Sequence, residues 1–153
     1  MKTRIKICLS LLFLSFALHA QDSSNTTEKN AFFEWNVGVA YINETDIFPG
    51  TSALWGKTFI NKNNVVFEYE AGFALPTIVT AKVGIGKRFD NTTVIAGVRP
   101  FPFNLFIQSS LISGKKGYWM CSIEYNPLGY ESNLAFDSKA ILNFGYRWHI
   151  FKK

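Results

Sequence analysis

Strict alternation of large apolar residues with small or polar ones constrains the fold of this chain more than any other feature. Every second residue of Phe33–Tyr41 is large and apolar, and the residues between are polar or small. Val65–Leu75, Val79–Phe89 and Leu142–Ile150 repeat the pattern. Successive side chains of a β-strand point to opposite faces of a sheet, so this period of two predicts strands that separate two different environments.

Weaker stretches of the same kind bring the predicted number of strands to eight. They are Ser52–Ile60, Thr93–Arg99, Phe103–Leu111 and Tyr118–Tyr125. The facing of Ser52–Ile60 is left open, because Trp55, Lys57 and Phe59 share one side. No stretch after residue 20 has a helical period, so the sequence predicts an all-β chain.

The segments between the predicted strands are of two kinds that alternate along the chain. Short polar turns lie at 61–64, 90–92 and 113–117. The other connections contain Pro49, Pro76, the pair Pro100 and Pro102, and Pro127. Proline lacks the backbone donor of a sheet ladder, so it belongs at strand ends and in loops. This alternation predicts an up-and-down antiparallel barrel with two different rims and both termini on one side.

The start of the chain predicts how it is divided. Residues 1–20 combine basic residues, an apolar run over Ile7–Leu18 and a small residue, Ala20, as a cleaved secretory signal peptide does. Polar residues fill 21–31, which we interpret as a flexible lead-in. The remaining 32–151 are expected to form one β-barrel domain.

The composition after residue 20 excludes several classes of function. Three of the 16 basic residues lie in the signal peptide, so 13 remain beside 11 acids and the net charge is +2. No basic cluster interleaved with aromatic residues is present, which argues against nucleic-acid binding. Cys121 and His149 are the one cysteine and the one histidine after residue 20. No disulfide, zinc site or other cofactor site is therefore expected there.

Alternation alone does not say which face of the barrel meets water. A soluble lipocalin-like barrel would turn its apolar face inward around a hydrophobic ligand, and an outer-membrane barrel would turn it outward to lipid. Three features favour lipid. The second face is rich in glycine and alanine, the apolar face carries many aromatic residues near strand ends, and few charged residues decorate the strands. We therefore expect a transmembrane barrel and keep the lipocalin-like binder as an alternative.

Four acids and four bases fall on the second face by alternation. They are Glu34, Glu68, Glu70, Lys82, Arg88, Arg99, Glu124 and Arg147. The interior of an eight-stranded barrel is just wide enough for side chains, and an unpaired buried charge is costly. These charges are expected to pair, to plug the lumen and to rigidify the barrel, which leaves no wide pore.

The last predicted strand carries a motif. Asn143–Ile150 resembles the C-terminal assembly signal of bacterial outer-membrane barrels, although Phe151 is followed by two lysines where the family's chains often end on an aromatic residue. The positions that carry the resemblance are Asn143, Gly145, Trp148 and Ile150. With the eight-strand layout, the chain resembles the small OmpA/OmpX-type barrels of Gram-negative envelopes. The resemblance implies an outer-membrane location, with outer-membrane lipid and the barrel-assembly machinery as partners. The protein is separately expected to be a monomer.

The function expected from these features is a structural, adhesion or envelope-integrity role without catalysis. The alternative is a lipid-modifying outer-membrane enzyme, in which His149 or an acid of an outer loop would act with a serine. No His-x-Ser pair occurs in the sequence, so His149 is expected to be a lumen or rim residue.

The assembly motif generates the first testable prediction. We expect Trp148→Asp or Gly145→Asp to abolish membrane insertion, because either change places a charge in the terminal signal. Deletion of Lys153 should have no effect, since the signal ends at Ile150 or Phe151. The measurement is the amount of protein in the membrane fraction of expressing cells, and a normal yield of Trp148→Asp would contradict the assignment.

Overall fold

The chain forms a closed barrel of eight antiparallel strands in the computed structural model, which describes residues 26–41, 47–75, 77–113, 117–127 and 138–152. The strands are β1 (Thr26–Tyr41), β2 (Ile47–Asn61), β3 (Val65–Leu75), β4 (Ile78–Phe89), β5 (Thr92–Phe101), β6 (Phe103–Ser113), β7 (Gly117–Tyr125) and β8 (Ala140–Lys152). Each strand pairs with the next, and β8 pairs with β1. The predicted all-β, up-and-down architecture is confirmed. Within the described ranges no helix has the length and apolarity needed to cross a membrane.

The barrel has two ends, which we name by the chain segments they carry. The terminal end holds the start of β1, the end of β8 and the connections after β2, β4 and β6. The loop end holds the connections after β1, β3, β5 and β7. The first β-turn at the terminal end places Asn64 at a φ of 60°, which an asparagine tolerates better than most residues.

The first strand begins earlier than the sequence predicted. Residues 26–31 were expected in a flexible lead-in, but Asn30 pairs with Thr58 and Ala31 with Lys57 of β2. Their polar composition is overridden because a neighbouring strand supplies a ladder for their backbone groups. The remaining lead-in residues and the predicted signal peptide over 1–20 lie outside the described residues.

Two prolines lie inside strands rather than in the connections where the sequence placed them. Pro49 pairs with Val39 in β2, and Pro100 pairs with Phe103 in β5. Both are close to the loop end of their strands, where a missing backbone donor is tolerated. The connection between β5 and β6 is therefore reduced to Pro102, which follows a cis peptide bond.

The apolar face of the alternation points outward, and the second face points inward. In β3 the side chains from Val65 to Leu75 alternate between exposed and enclosed, with Glu68 and Glu70 buried. The sequence left open which side of β2 faces inward. In the structure Leu54 is buried and Trp55 is exposed, so the side that carries Trp55 faces outward. The interior also contains an apolar cluster that the sequence reasoning missed. Its members are Ile60, Val66, Ile95 and Phe106.

Inward glycines make room for two aromatic rings inside the barrel. Gly56 lies opposite Phe32 in the ladder, and a Cβ added to it would meet the Phe32 ring. Gly97 lies opposite Phe106, and an added Cβ would likewise meet that ring. Because an eight-stranded barrel is narrow, each of these rings needs a wall position without a side chain. Each ring faces a cation and helps to position it: Phe32 faces Arg147, and Phe106 faces Lys82.

Candidate functional site

Seven of the eight charges that alternation placed inside the barrel are buried and connected there. We call this set the interior network. Its members are Glu34, Glu68, Glu70, Lys82, Arg99, Glu124 and Arg147. Two of its contacts join residues directly opposite each other in the ladder, Glu34 with Arg147 and Glu70 with Lys82. The others cross the lumen between strands that do not pair.

Arg147 is the centre of the part of the network nearer the terminal end. Its Nη1 and Nη2 donate to the two carboxylate oxygens of Glu68 at 2.6 and 2.7 Å, a bidentate arrangement. Its Nε and Nη2 also donate to Oε2 of Glu34 at 2.9 and 2.7 Å. The guanidinium carbon lies 3.6 Å from the centroid of the Phe32 ring. Arg147 is thus held by two carboxylates and by cation–π contact with one ring.

Glu124 is the centre of the part nearer the loop end. Its carboxylate oxygens contact Nζ of Lys82 at 2.9 Å and Nη1 of Arg99 at 2.8 Å. The Lys82 ammonium lies 5.4 Å from the centroid of the Phe106 ring. In both halves of the network, a cation therefore contacts both a carboxylate and the face of an aromatic ring. The cations are Arg147, over Phe32, and Lys82, over Phe106.

Glu70 joins the two halves. Its carboxylate lies 3.5 Å from Nζ of Lys82 and 3.5 Å from Nη2 of Arg147. These separations are longer than the other contacts of the network, so Glu70 is held less tightly than Glu34, Glu68 or Glu124. The seven groups comprise four carboxylates and three cations. Each ion pair joins a carboxylate to a cation, and together the pairs connect the seven groups into one cluster.

Uncharged side chains also donate to three of the four carboxylates. Thr58 and Gln108 donate to Glu68 at 2.7 and 3.0 Å. Asn36 donates to Glu34 at 2.6 Å, and Asn143 donates to Glu124 at 3.0 Å. The sequence reasoning did not assign Thr58, Asn36 or Gln108 to this site. Their positions on the inward face could have indicated them. Asn36 lies two residues from Glu34 on the same strand, whereas the partners of Thr58 and Gln108 depend on the arrangement of different strands.

Arg88 is the one predicted lumen charge that lies outside the network. Its guanidinium pairs with Glu28 at 3.1 Å, and the side chains of the two residues are 20% and 46% exposed. Alternation placed Arg88 on the correct face, but Arg88 is the second-last residue of β4 and so lies at the terminal end of the barrel. The expected match of four acids to four bases is therefore corrected, since Arg88 belongs to a partly solvated rim pair.

Two small cavities lie on either side of the network. The larger, of about 40 Å³, lies toward the loop end, and Lys82, Arg99 and Glu124 are part of its lining. The smaller, of about 20 Å³, lies toward the terminal end beside Glu68 and Arg147. A water molecule needs roughly 10–15 Å³ measured in this way. The larger cavity has room for about three water molecules and the smaller for about one or two. The interior network lies between the two cavities.

The remaining predicted site residues divide between the two faces. Asn143 and Gly145 face inward, and an added Cβ at Gly145 would meet the side chain of Asn36. Trp148 and Ile150 are exposed on the outside, where Trp148 stacks on Phe33 with ring centroids 5.7 Å apart. The role of these four residues as an assembly signal stays a prediction.

The reactive residue types do not assemble into a metal centre in the described part of the chain. No group of three or more His, Cys, Asp and Glu side chains there has the arrangement of a metal site. His149 lines the smaller cavity and packs edge-on against Tyr118, with ring centroids 4.8 Å apart. Cys121 is exposed on the outer face of β7.

No protein-family model, curated protein or solved structure matches the chain.

The network generates a prediction about stability. We expect Arg147→Ala to lower the free energy of unfolding by about 3–5 kcal/mol, because Glu34 and Glu68 are left buried without their cation. The matched control is Arg88→Ala, which removes the same side chain from the partly exposed rim pair and should cost about 1 kcal/mol or less. Urea titration of both variants in detergent gives the comparison, and equal losses would show that the interior charges are solvated.

Proposed function

We propose that this protein is an outer-membrane β-barrel with a structural, adhesion or envelope-integrity role and a lumen closed by charged side chains. The observation that carries the proposal is its inverted distribution of polarity. The charged network is inside the barrel, and large apolar side chains cover the outside. A protein in water has the opposite arrangement, because burial of apolar surface drives its folding and its charges stay solvated.

The height of the apolar surface supports a lipid environment. On β3, every outward side chain from Val65 to Leu75 is exposed, and none of them is charged. Ten residue steps at about 3.4 Å, tilted by about 45°, span roughly 24 Å. Outer-membrane barrels carry an apolar band about 25 Å tall. The strand length therefore matches the thickness that such a band has to cover.

A row of aromatic rings on the outside also supports a lipid environment. The rings contact one another across five strands, from β3 through β2, β1 and β8 to β7. They belong to Phe73, Trp55, Phe33, Trp148, Tyr146, Trp119 and Phe144. Trp55 lies opposite Ala71 at mid-height of β3, so the row crosses the apolar surface and covers it with large rings that lipid can contact.

Exposed lysines mark the terminal end of the apolar surface. Lys29 and Lys87 extend over the rings of Phe59 and Phe89, with Nζ 5.9 and 5.8 Å from the centroids. A lysine at this position can lay its apolar stem along the barrel while its ammonium group stays with water and headgroups. The outward face is thus bounded by residues suited to an interface.

The two alternatives find less support in the interior. A lipocalin-like binder needs an apolar cavity for its ligand, whereas the interior network occupies that space. A lipid-modifying enzyme needs a reactive group that lipid can reach. His149 and Ser110 both line the smaller cavity, but its volume of about 20 Å³ has no room for a lipid.

Placement in lipid predicts a depth-dependent cost of charge on β3. Ala71→Arg, near the middle of the outward row, should cost roughly 2–4 kcal/mol and block assembly, because it puts a charge near the bilayer centre. Val65→Arg, at the end of the same strand, is the control and should cost about 1 kcal/mol or less.

The measurement combines cell fractionation with the gel shift that folded membrane barrels show on boiling. Wild type and Val65→Arg should be heat-modifiable and membrane-bound, and Ala71→Arg should not. Recovery of Ala71→Arg as soluble, folded protein would contradict the proposal and favour a barrel that faces water.

A closed lumen predicts the absence of large conductance. The interior network and the rings of Phe32 and Phe106 occupy the space that an eight-stranded wall encloses. We therefore expect no stable, porin-like currents when the purified protein is added to planar bilayers. Steady, large currents from the wild-type protein would show that these charges line a channel.

A further inference from the structure

The interior network contains more carboxylates than cations. Its seven buried residues are four glutamates, two arginines and one lysine, so four negative charges face three positive ones if every group is ionised. The rim pair of Arg88 and Glu28 is balanced in itself and supplies no counter-charge. An uncompensated charge is costly in a buried site, and a titratable group there is normally neutralised by gaining or losing a proton.

Three of the four carboxylates are held tightly as anions. Glu34 accepts three hydrogen bonds of 2.9 Å or less, and Glu68 accepts four of 3.0 Å or less. Glu124 accepts from Asn143 at 3.0 Å and lies within 2.9 Å of two cations. Hydrogen bonds and cations at these distances stabilise the ionised form of a carboxyl group.

Glu70 lacks such contacts. Its two cation contacts, with Lys82 and Arg147, are both 3.5 Å long, beyond the usual range for a hydrogen bond between nitrogen and oxygen. In the described part of the chain its Oε1 accepts no hydrogen bond, and this atom has almost no surface that a water-sized probe can reach. Neither water nor a cation of similar size can therefore complete its contacts. A proton needs no such space.

Both cations near Glu70 are shared with other carboxylates at shorter distances. The lysine lies 2.9 Å from a second carboxylate, and the arginine donates to two others at 2.6–2.9 Å. Ionised Glu70 would therefore add a like charge to a cluster whose cations are already matched. Strands β2 and β6 turn no charged side chain inward. The charged groups around Glu70 are Lys82 on β4, Arg99 on β5, Glu124 on β7, Arg147 on β8, Glu34 on β1 and Glu68 on β3.

We propose that Glu70 is a proton-binding site, and that it is an uncharged carboxylic acid in the folded barrel at neutral pH. The network then consists of three carboxylates, three cations and one neutral acid, so its charges balance. The inference goes beyond the proposed function, because it depends on the folded interior and not on what surrounds the outer face.

This proton links the stability of the barrel to pH. A glutamate of an unfolded chain is ionised at neutral pH, so the folded barrel holds one proton that the unfolded chain has released. When the folded state binds more protons, the free energy of unfolding falls as the pH rises. The fall ends when Glu70 has lost its proton and the network carries an unmatched negative charge.

The first test is the infrared spectrum of the purified protein at neutral pH, in a detergent without carbonyl groups. The C=O stretch of a protonated carboxyl group lies at higher frequency than the bands of carboxylates and amides. We expect this band in wild type and its loss in Glu70→Gln. Glu28→Gln is the control and should keep the band, because it changes a carboxylate of the partly solvated rim pair.

The second test compares two glutamates at successive inward positions of β3, both of them buried. Glu70→Gln replaces one neutral group by another of nearly the same shape, so the midpoint of urea unfolding at neutral pH should change little. Glu68→Gln removes a charge that binds Arg147 through two oxygens and should lower the midpoint. At alkaline pH the midpoint of wild type should fall, whereas that of Glu70→Gln should not.

The remaining candidate for the proton is His149, which lines the smaller cavity together with Glu68 and Arg147. His149→Asn should leave the infrared band in place. Absence of the band from wild type, its persistence in Glu70→Gln, or an equal fall of the wild-type and Glu70→Gln midpoints at alkaline pH would overturn the proposal. Variants are compared after the gel shift on boiling shows that they are folded. None of these results depends on Ala71→Arg, so the two proposals fail separately.

Discussion

The guanidinium group of Arg147 joins parts of the barrel that are far apart in the chain. It projects from β8 and binds Glu34 on β1 and Glu68 on β3. The pairing of β8 with β1 closes the sheet, so this contact lies at the seam where the two ends of the wall meet. The Phe32 ring contacts the guanidinium group, and there is room for this ring because Gly56 has no side chain. The seam, the inward glycine and the ion pairs therefore depend on one another.

Closure also explains why the apolar residues are outside. A closed sheet has no free edge, so its backbone groups are satisfied within the wall. A charged lumen leaves the interior little room for large apolar side chains beyond Phe32, Leu54, Met120 and the cluster around Phe106 and Val66. The remaining apolar surface has to face the surroundings. The interior charges and the proposed lipid contact are two consequences of the same narrow, eight-stranded wall.

The network divides the lumen into two chemically different halves. Glu70 connects them, but through contacts of 3.5 Å that are longer than those of its neighbours. One half is centred on Arg147, which contacts three carboxylates, and the other on Glu124, which contacts two cations. Glu70 belongs to both halves because it also contacts Lys82.

The period of two in the sequence determined the strands, their number and the separation of residues such as Glu70 and Trp35 onto opposite faces of the sheet. It could do so because facing is a local property of an extended backbone. The tertiary structure alone decided that Arg88 leaves the network for Glu28, that β1 begins at Thr26, and that Phe32 lies under Arg147. The reason is physical. Alternation assigns a side chain to a face, but its depth and its neighbours across the lumen depend on the register of all eight strands in the closed barrel.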